Sequence, residues 1–200
     1  MNEFDKLYLS WRKGQGSRRH IVGVLEHAQD GRYVFAYDKV SVEKAAKDGF
    51  APYTEFPDIT KSYNGNALEI FGQRLIKSER PDIQSFYDFW EIDTTFKGDK
   101  FYLLAHTQGL NPTDNFEFLA DYNPNKSLRF LTDLASLSSL KLSADSVKPG
   151  DILTYKLESD NEFDDKAVKV FKCHKEVGYI KKIHSKVFYK QKGSVLKLIV

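Results

Sequence analysis

The apolar residues of this chain come in short runs, each cut off within a few positions by turn formers, and that punctuation limits the folds open to it. Leu7-Tyr8-Leu9-Ser10-Trp11 ends at Arg12-Lys13-Gly14-Gln15-Gly16-Ser17-Arg18-Arg19. Ile21-Val22-Gly23-Val24-Leu25 is followed by Gln29-Asp30-Gly31 and then by Arg32-Tyr33-Val34-Phe35-Ala36-Tyr37. Asp-Gly between apolar runs signals a hairpin, because glycine tolerates the positive φ such turns require. Three antiparallel strands are therefore expected at the start. Gly14-x-Gly16 falls in a hairpin tip with no helix behind it, so it reads as a turn rather than a phosphate loop. No run approaches the roughly 18 apolar residues needed to span a bilayer. A hydrophobic share of 41%, with 14% aromatic, is enough for a core and excludes wholesale disorder.

The middle of the chain changes period. Ser41 is placed to cap a short helix ending near Asp48-Gly49. Phe50 to Asp58 is a proline-punctuated connector. Leu68, Phe71 and Leu75 lie at helical spacing and predict a helix over 67–77. After Arg80-Pro81-Asp82, residues Ile83, Phe86, Tyr87 and Trp90 fall at i, i+3, i+4 and i+7, an apolar stripe read as core. A third helix is expected over 99–108, stopping at Gly109. Beyond the Asn111-Pro112-Thr113-Asp114 turn, strands return at 116–119, 128–131, 152–157, 167–171, 177–180 and 194–200, with a short helix over 182–191 and an ambiguous Ser/Leu-rich stretch between Asp133 and Asp145. Short strands spaced by turns suggest a small barrel. The expected class is α+β in two domains: antiparallel strands plus a helical region over 1–110, then a small β-barrel over 111–200.

Charge becomes informative when it is divided. The whole chain carries +2, but residues 128–200 hold 14 basic and 9 acidic residues while residues 1–127 hold 16 and 19. From Lys166 to Val200 there are ten lysines and one acid, Glu176. Such a segment suits a polyanion or an acidic partner, although a solvated Lys-rich face is the plainer alternative. Arg12, Lys13, Arg18 and Arg19 form a second basic cluster at the first hairpin tip. The single cysteine, Cys173, has no internal partner, and the N-terminus lacks the order of a signal peptide. A soluble, cytoplasmic protein is expected.

The most specific pattern lies at 147–190. Pro149-Gly150-Asp151 precedes a strand, Glu158 and then Asn161-Glu162-Phe163-Asp164-Asp165-Lys166-Ala167-Val168-Lys169-Val170 follow, and Val177-Gly178-Tyr179-Ile180-Lys181-Lys182 closes the series. This resembles the HIRAN domain, with Glu162 where the family usually has Pro. The resemblance implies an OB-like barrel that binds single-stranded DNA, in some members at a free 3′ end, where the residue matching Asp164 helps hold the terminal hydroxyl. It also implies an aromatic pair preceded by Arg on the first barrel strand. In that region this chain has Arg129-Phe130 and, nearest the expected place, Leu134-Ala135-Ser136-Leu137. Without such a platform, weak salt-sensitive backbone binding would remain. The opening strands are similar to the small N-terminal subdomain of HipA-type kinases. That likeness implies a regulatory, antitoxin-like subunit restraining a HipA-like Ser/Thr kinase. Phe50 to Asp58, Ile70 to Asp82 and Thr107 to Asp114 are similar to the region preceding HIRAN in some bacterial proteins.

Catalysis and cofactors find little support in the residues. Cys173-His174 is the one adjacent Cys/His pair, and no second cluster completes a zinc set. There is no Gly-x-Ser-x-Gly elbow and no kinase loop. Lys182, Lys186 and Lys190 repeat every four positions and would share a helix face, with Tyr179, Phe188 and Tyr189 interleaved. Lysine beside flat rings is what a single-strand groove requires; a solvated helix with its aromatics turned inward is the alternative. The expectation is a protein without catalysis, cofactor or metal that binds single-stranded or frayed DNA through Asn161, Phe163, Asp164, Arg129, Phe130, Tyr179, Lys181, Lys182, Lys186 and Lys190. The other reading is the kinase-restraining subunit.

Overall fold

The computed structural model describes residues 3–14, 16–190 and 196–200. The chain divides into two compact units, one of residues 4–121 with 129–131, the other of residue 3, 122–128 and 132–200. Among the described residues no helix is long and apolar enough to cross a membrane.

The N-terminal unit is built on a five-stranded antiparallel sheet. Its strands are β1 (Lys6–Trp11), β2 (His20–His27), β3 (Tyr33–Tyr37), β4 (Ser62–Asn64) and β5 (Phe116–Ala120), in the order β4-β3-β2-β1-β5. The first three strands form where the hairpin signals put them, and Gly31 takes the positive φ of 80° that the β2–β3 turn needs. The helices are α1 (Lys39–Ala46), α2 (Ala67–Gly72), α3 (Ile83–Phe89) and α4 (Lys100–Thr107), with a 3₁₀ turn at Thr94–Phe96. Phe35, Phe56, Phe71 and Phe118 are fully buried and pack ring to ring at 4.9–5.1 Å, joining β3, the 50–58 connector, α2 and β5. Burial of these rings adds a large apolar area to a core that also holds Leu7, Leu9, Val22, Leu25 and Leu104.

Several local expectations are corrected here. Asp38, not Ser41, caps α1: its carboxylate accepts the Ser41 amide at 2.9 Å. The helix expected over 67–77 stops at Gly72. Of the stripe Ile83, Phe86, Tyr87 and Trp90, only Tyr87 is buried, and neighbouring Phe89 is 65% exposed. A single periodic face shows which residues can face a core, not whether the helix is pressed onto one. The structural boundary falls near 121 rather than 110, because β5 pairs with β1 from Leu7↔Ala120 to Trp11↔Phe116. Arg74 fastens this return. Its buried guanidinium donates to both Asp114 carboxylate oxygens at 2.7 Å and to the Gly109 carbonyl at 2.7 Å.

The C-terminal unit is a second antiparallel sheet, curled into a half-barrel consistent with an OB-like fold. It comprises β6 (Leu134–Ala135), β7 (Ile152–Glu158), β8 (Ala167–Lys172), β9 (Lys175–Ile180) and β10 (Leu198–Ile199), in the order β10-β7-β8-β9-β6. Short helices α5 (Leu137–Leu140) and α6 (Lys186–Lys190) and a 3₁₀ turn at Ala144–Ser146 complete it. Val168, Val170, Val177, Ile180, Ile183, Val187 and Phe188 form its core. The Pro149-Gly150-Asp151 turn is pinned from both sides. Asp151 accepts the Lys148 amide and pairs with Lys172, while the Gly150 amide donates to the Val200 carbonyl. The strand expected over 128–131 is absent, and the helix expected over 182–191 begins only at Lys186. Gln15 of the first hairpin tip, the end of that helix at Gln191, Lys192 and the start of the closing strand at Ser194 lie outside the described residues.

Candidate nucleic-acid interface

The connection between β7 and β8 is organised by one side chain. The Asn161 carbonyl oxygen accepts the amides of Phe163 at 3.0 Å and Asp164 at 3.2 Å, which closes an Asx turn. Asp164 then starts β8: its carboxylate accepts the Lys166 amide at 3.1 Å and its backbone carbonyl accepts the Ala167 amide at 3.0 Å. The turn leaves Phe163 84% exposed. The Asp164 side chain beside it is 16% exposed, with the Lys182 ammonium 3.9 Å away. A carboxylate that can accept a hydroxyl hydrogen, a free aromatic face and a nearby cation thus meet at one loop.

Behind the loop lies a compact polar network on the outward face of β7, β8 and β9. Strand alternation puts Glu158, Lys156, Lys169 and Tyr179 on this face, and Leu157, Val168 and Ile180 on the other. The Glu158 carboxylate accepts the Lys169 ammonium at 2.7 Å, the Tyr179 hydroxyl at 3.0 Å and the Asn161 side-chain amide at 3.2 Å. Lys169 also lies 3.6 Å from Glu176 and 5.3 Å from the centre of the Tyr179 ring. Its hydrogen bond with Lys169 holds Glu158 below the usual carboxylate range, and the same bond raises Lys169. Burial raises the Tyr179 phenol. Gly178, at φ 141°, lets β9 approach β6: a Cβ there would sit 2.8 Å from the Ala135 carbonyl oxygen.

The structure gathers Asn161, Phe163, Asp164, Lys182 and, through Glu158, Tyr179. It places the remaining expected residues otherwise. Lys181 is only 2% exposed and its ammonium pairs with Asp133 at 2.7 Å, so it offers no free cation at a surface. Lys190 donates to the Tyr122 carbonyl at 3.0 Å and the Asn123 side chain at 3.1 Å, tying the 122–128 segment to α6. Lys182 precedes α6, so Lys182, Lys186 and Lys190 do not form one continuous helical face, and Lys186 is half-buried. Phe188 is buried edge-on to Tyr155, and the half-buried Tyr189 donates to the Ala167 carbonyl. These two rings follow the alternative reading, in which the aromatics turn inward. Arg129 and Phe130 fall in the N-terminal unit and in no strand, with Arg129 3.5 Å from Glu91.

Glu158 and Lys169 were not singled out from the sequence as site residues. Only the strand register brings them together: Lys169 pairs across the ladder with Lys156, which leaves Glu158 on the diagonal, within reach of a long side chain.

An open antiparallel half-barrel of this kind is consistent with an OB-like fold. Residues 127–191 match the HIRAN domain family, about a third of the chain. No curated protein and no solved structure is significantly similar to the chain. The likeness of the N-terminal strands to the HipA-type subdomain receives no support from these comparisons.

Proposed function

We propose that the C-terminal unit binds single-stranded or frayed DNA at the β7–β8 loop, with a preference for a free 3′ end, and that the protein acts by binding rather than by catalysis. The observation that carries this reading is the exposed Phe163 ring fixed by the Asn161 turn beside the Asp164 carboxylate. The match of residues 127–191 to the HIRAN domain supports it. Phe163 offers a stacking face to a terminal base. Asp164 offers an acceptor to a terminal hydroxyl and, being anionic, disfavours a phosphate in the same place. Lys182, 3.9 Å from Asp164, supplies a cation to the adjoining backbone.

The test is a fluorescence-anisotropy titration of the full chain with oligonucleotides bearing a free 3′ hydroxyl or a 3′ phosphate. Tighter binding of the free end, with the difference abolished by Asp164→Ala, is the expected result. Equal binding of both ends would remove end recognition, and no binding at low salt would remove the function. The kinase-restraining alternative gains no favouring observation from the fold.

A further inference from the structure

We infer that Glu158 is the positioning residue of the loop site: by receiving the Asn161 side-chain amide, it fixes which way Asn161 faces and so holds the Phe163–Asp164 turn ready for a ligand. This rests on the reading of the loop as the binding site. An asparagine side chain is nearly symmetric in shape but not in chemistry: one end accepts and the other donates. The turn needs the oxygen end, because both the Phe163 and Asp164 amides donate to it. Turned over, Asn161 would aim two N–H groups at two N–H groups. The Glu158 carboxylate, 3.2 Å from the nitrogen end, accepts only and therefore selects the productive orientation.

The remaining contacts keep Glu158 ready for that role. Lys169 takes one carboxylate oxygen at 2.7 Å, leaving the other for Asn161 and the Tyr179 hydroxyl. Three donors and no acceptor meet the carboxylate, so an amide in its place would set its own N–H₂ against at least one donor. Lys169, bound to Glu158 and close to Glu176, is a structural counter-ion and not a phosphate contact. Charge, and not merely volume, is thus required at position 158.

Two variants of the full chain test this, Glu158→Gln and Asn161→Asp. The latter keeps the oxygen that receives the Phe163 and Asp164 amides but turns a second oxygen toward Glu158. The readout is amide hydrogen exchange at Phe163 and Asp164, followed by anisotropy with a free-ended single strand. Exchange at both amides is expected to rise about tenfold in each variant while the β8 and β9 amides stay protected. Affinity is expected to fall by a similar factor. Acidification is expected to restore protection in Asn161→Asp, as the two facing carboxylates come to share a proton. The other charged or titratable groups around them are Lys169, Tyr179, Glu176, Asp164, Asp165, Lys182 and, from α6, Tyr189, and the unchanged protein under the same acidification separates their titration from that of the pair. Unchanged exchange in Asn161→Asp would overturn the proposal, as would lost protection with undiminished affinity. Should the unmodified protein not bind DNA, the function fails on its own, and the exchange data alone still decide whether Glu158 orients the loop.

Discussion

Asn161 and Phe163 divide the labour of the loop, one shaping the backbone and the other remaining outside it. Because Phe163 makes so little contact with its own unit, its removal is expected to leave folding intact and to act on binding alone. Phe163→Ala is expected to weaken single-strand affinity by roughly 1–3 kcal/mol, the worth of one base–aromatic stack, with an unchanged melting temperature. Anisotropy and thermal unfolding on the same samples check both halves. A ring that proves necessary for folding but not for binding would return the exposed position to mere turn chemistry. At this scale the turn that shapes the candidate site was legible. Asn161, Phe163 and Asp164 stand in a motif whose turn chemistry is local, so sequence neighbours determine it. Lys181 was misleading for the opposite reason. Its burial and its pairing with Asp133 depend on a chain segment nearly fifty positions away, and a lysine's flexible stem conforms to either fate.

Strands with a fixed register make stronger demands than the short helices around them. Gly178 lies where β9 passes close to β6 at a φ of 141°, a conformation that side chains rarely adopt. Gly178→Ala would bring a methyl group to 2.8 Å from the Ala135 carbonyl oxygen and 3.1 Å from the Leu134 Cβ. It is expected to destabilise the C-terminal unit by about 1–3 kcal/mol through backbone strain and displacement of β6. Chemical denaturation followed by the near-ultraviolet signal reads this directly, and a wild-type midpoint would show that β6 yields freely. The strands were readable because period and turn residues agree: 152–157, 167–171 and 177–180 all lie within observed strands. Helix extent was less readable. The apolar spacing that suggested 67–77 continues beyond Gly72, yet the backbone leaves the helix there, and Leu75 is only half-buried. The region from 128 to 146 was hardest, because a two-residue strand and two single-turn helices leave no periodic trace.

Seen as a whole, the chain separates its tasks. The N-terminal unit encloses an aromatic core beneath a five-stranded sheet and is fastened by the Arg74–Asp114 pair, whereas the C-terminal unit carries the lysine-rich sequence and the exposed loop. Several of those lysines serve the fold itself. Lys169, Lys172, Lys181 and Lys190 are each engaged with protein oxygens. Net charge therefore overstates the number of cations available to a polyanion, and composition alone could not reveal this. The electrostatic component of binding is consequently expected to be modest. With Lys182 and one or two exposed neighbours in contact, the slope of log K against log salt should be about −1 to −2, since each phosphate contributes roughly −0.7 for a single strand. The measurement that bears most directly on the central claim is a titration of the full chain with a labelled single strand and its duplex across a range of salt concentrations. Preference for the single strand with that shallow slope is the predicted result. A steep slope with equal or tighter binding to duplex, or no binding to either at low salt, would contradict it.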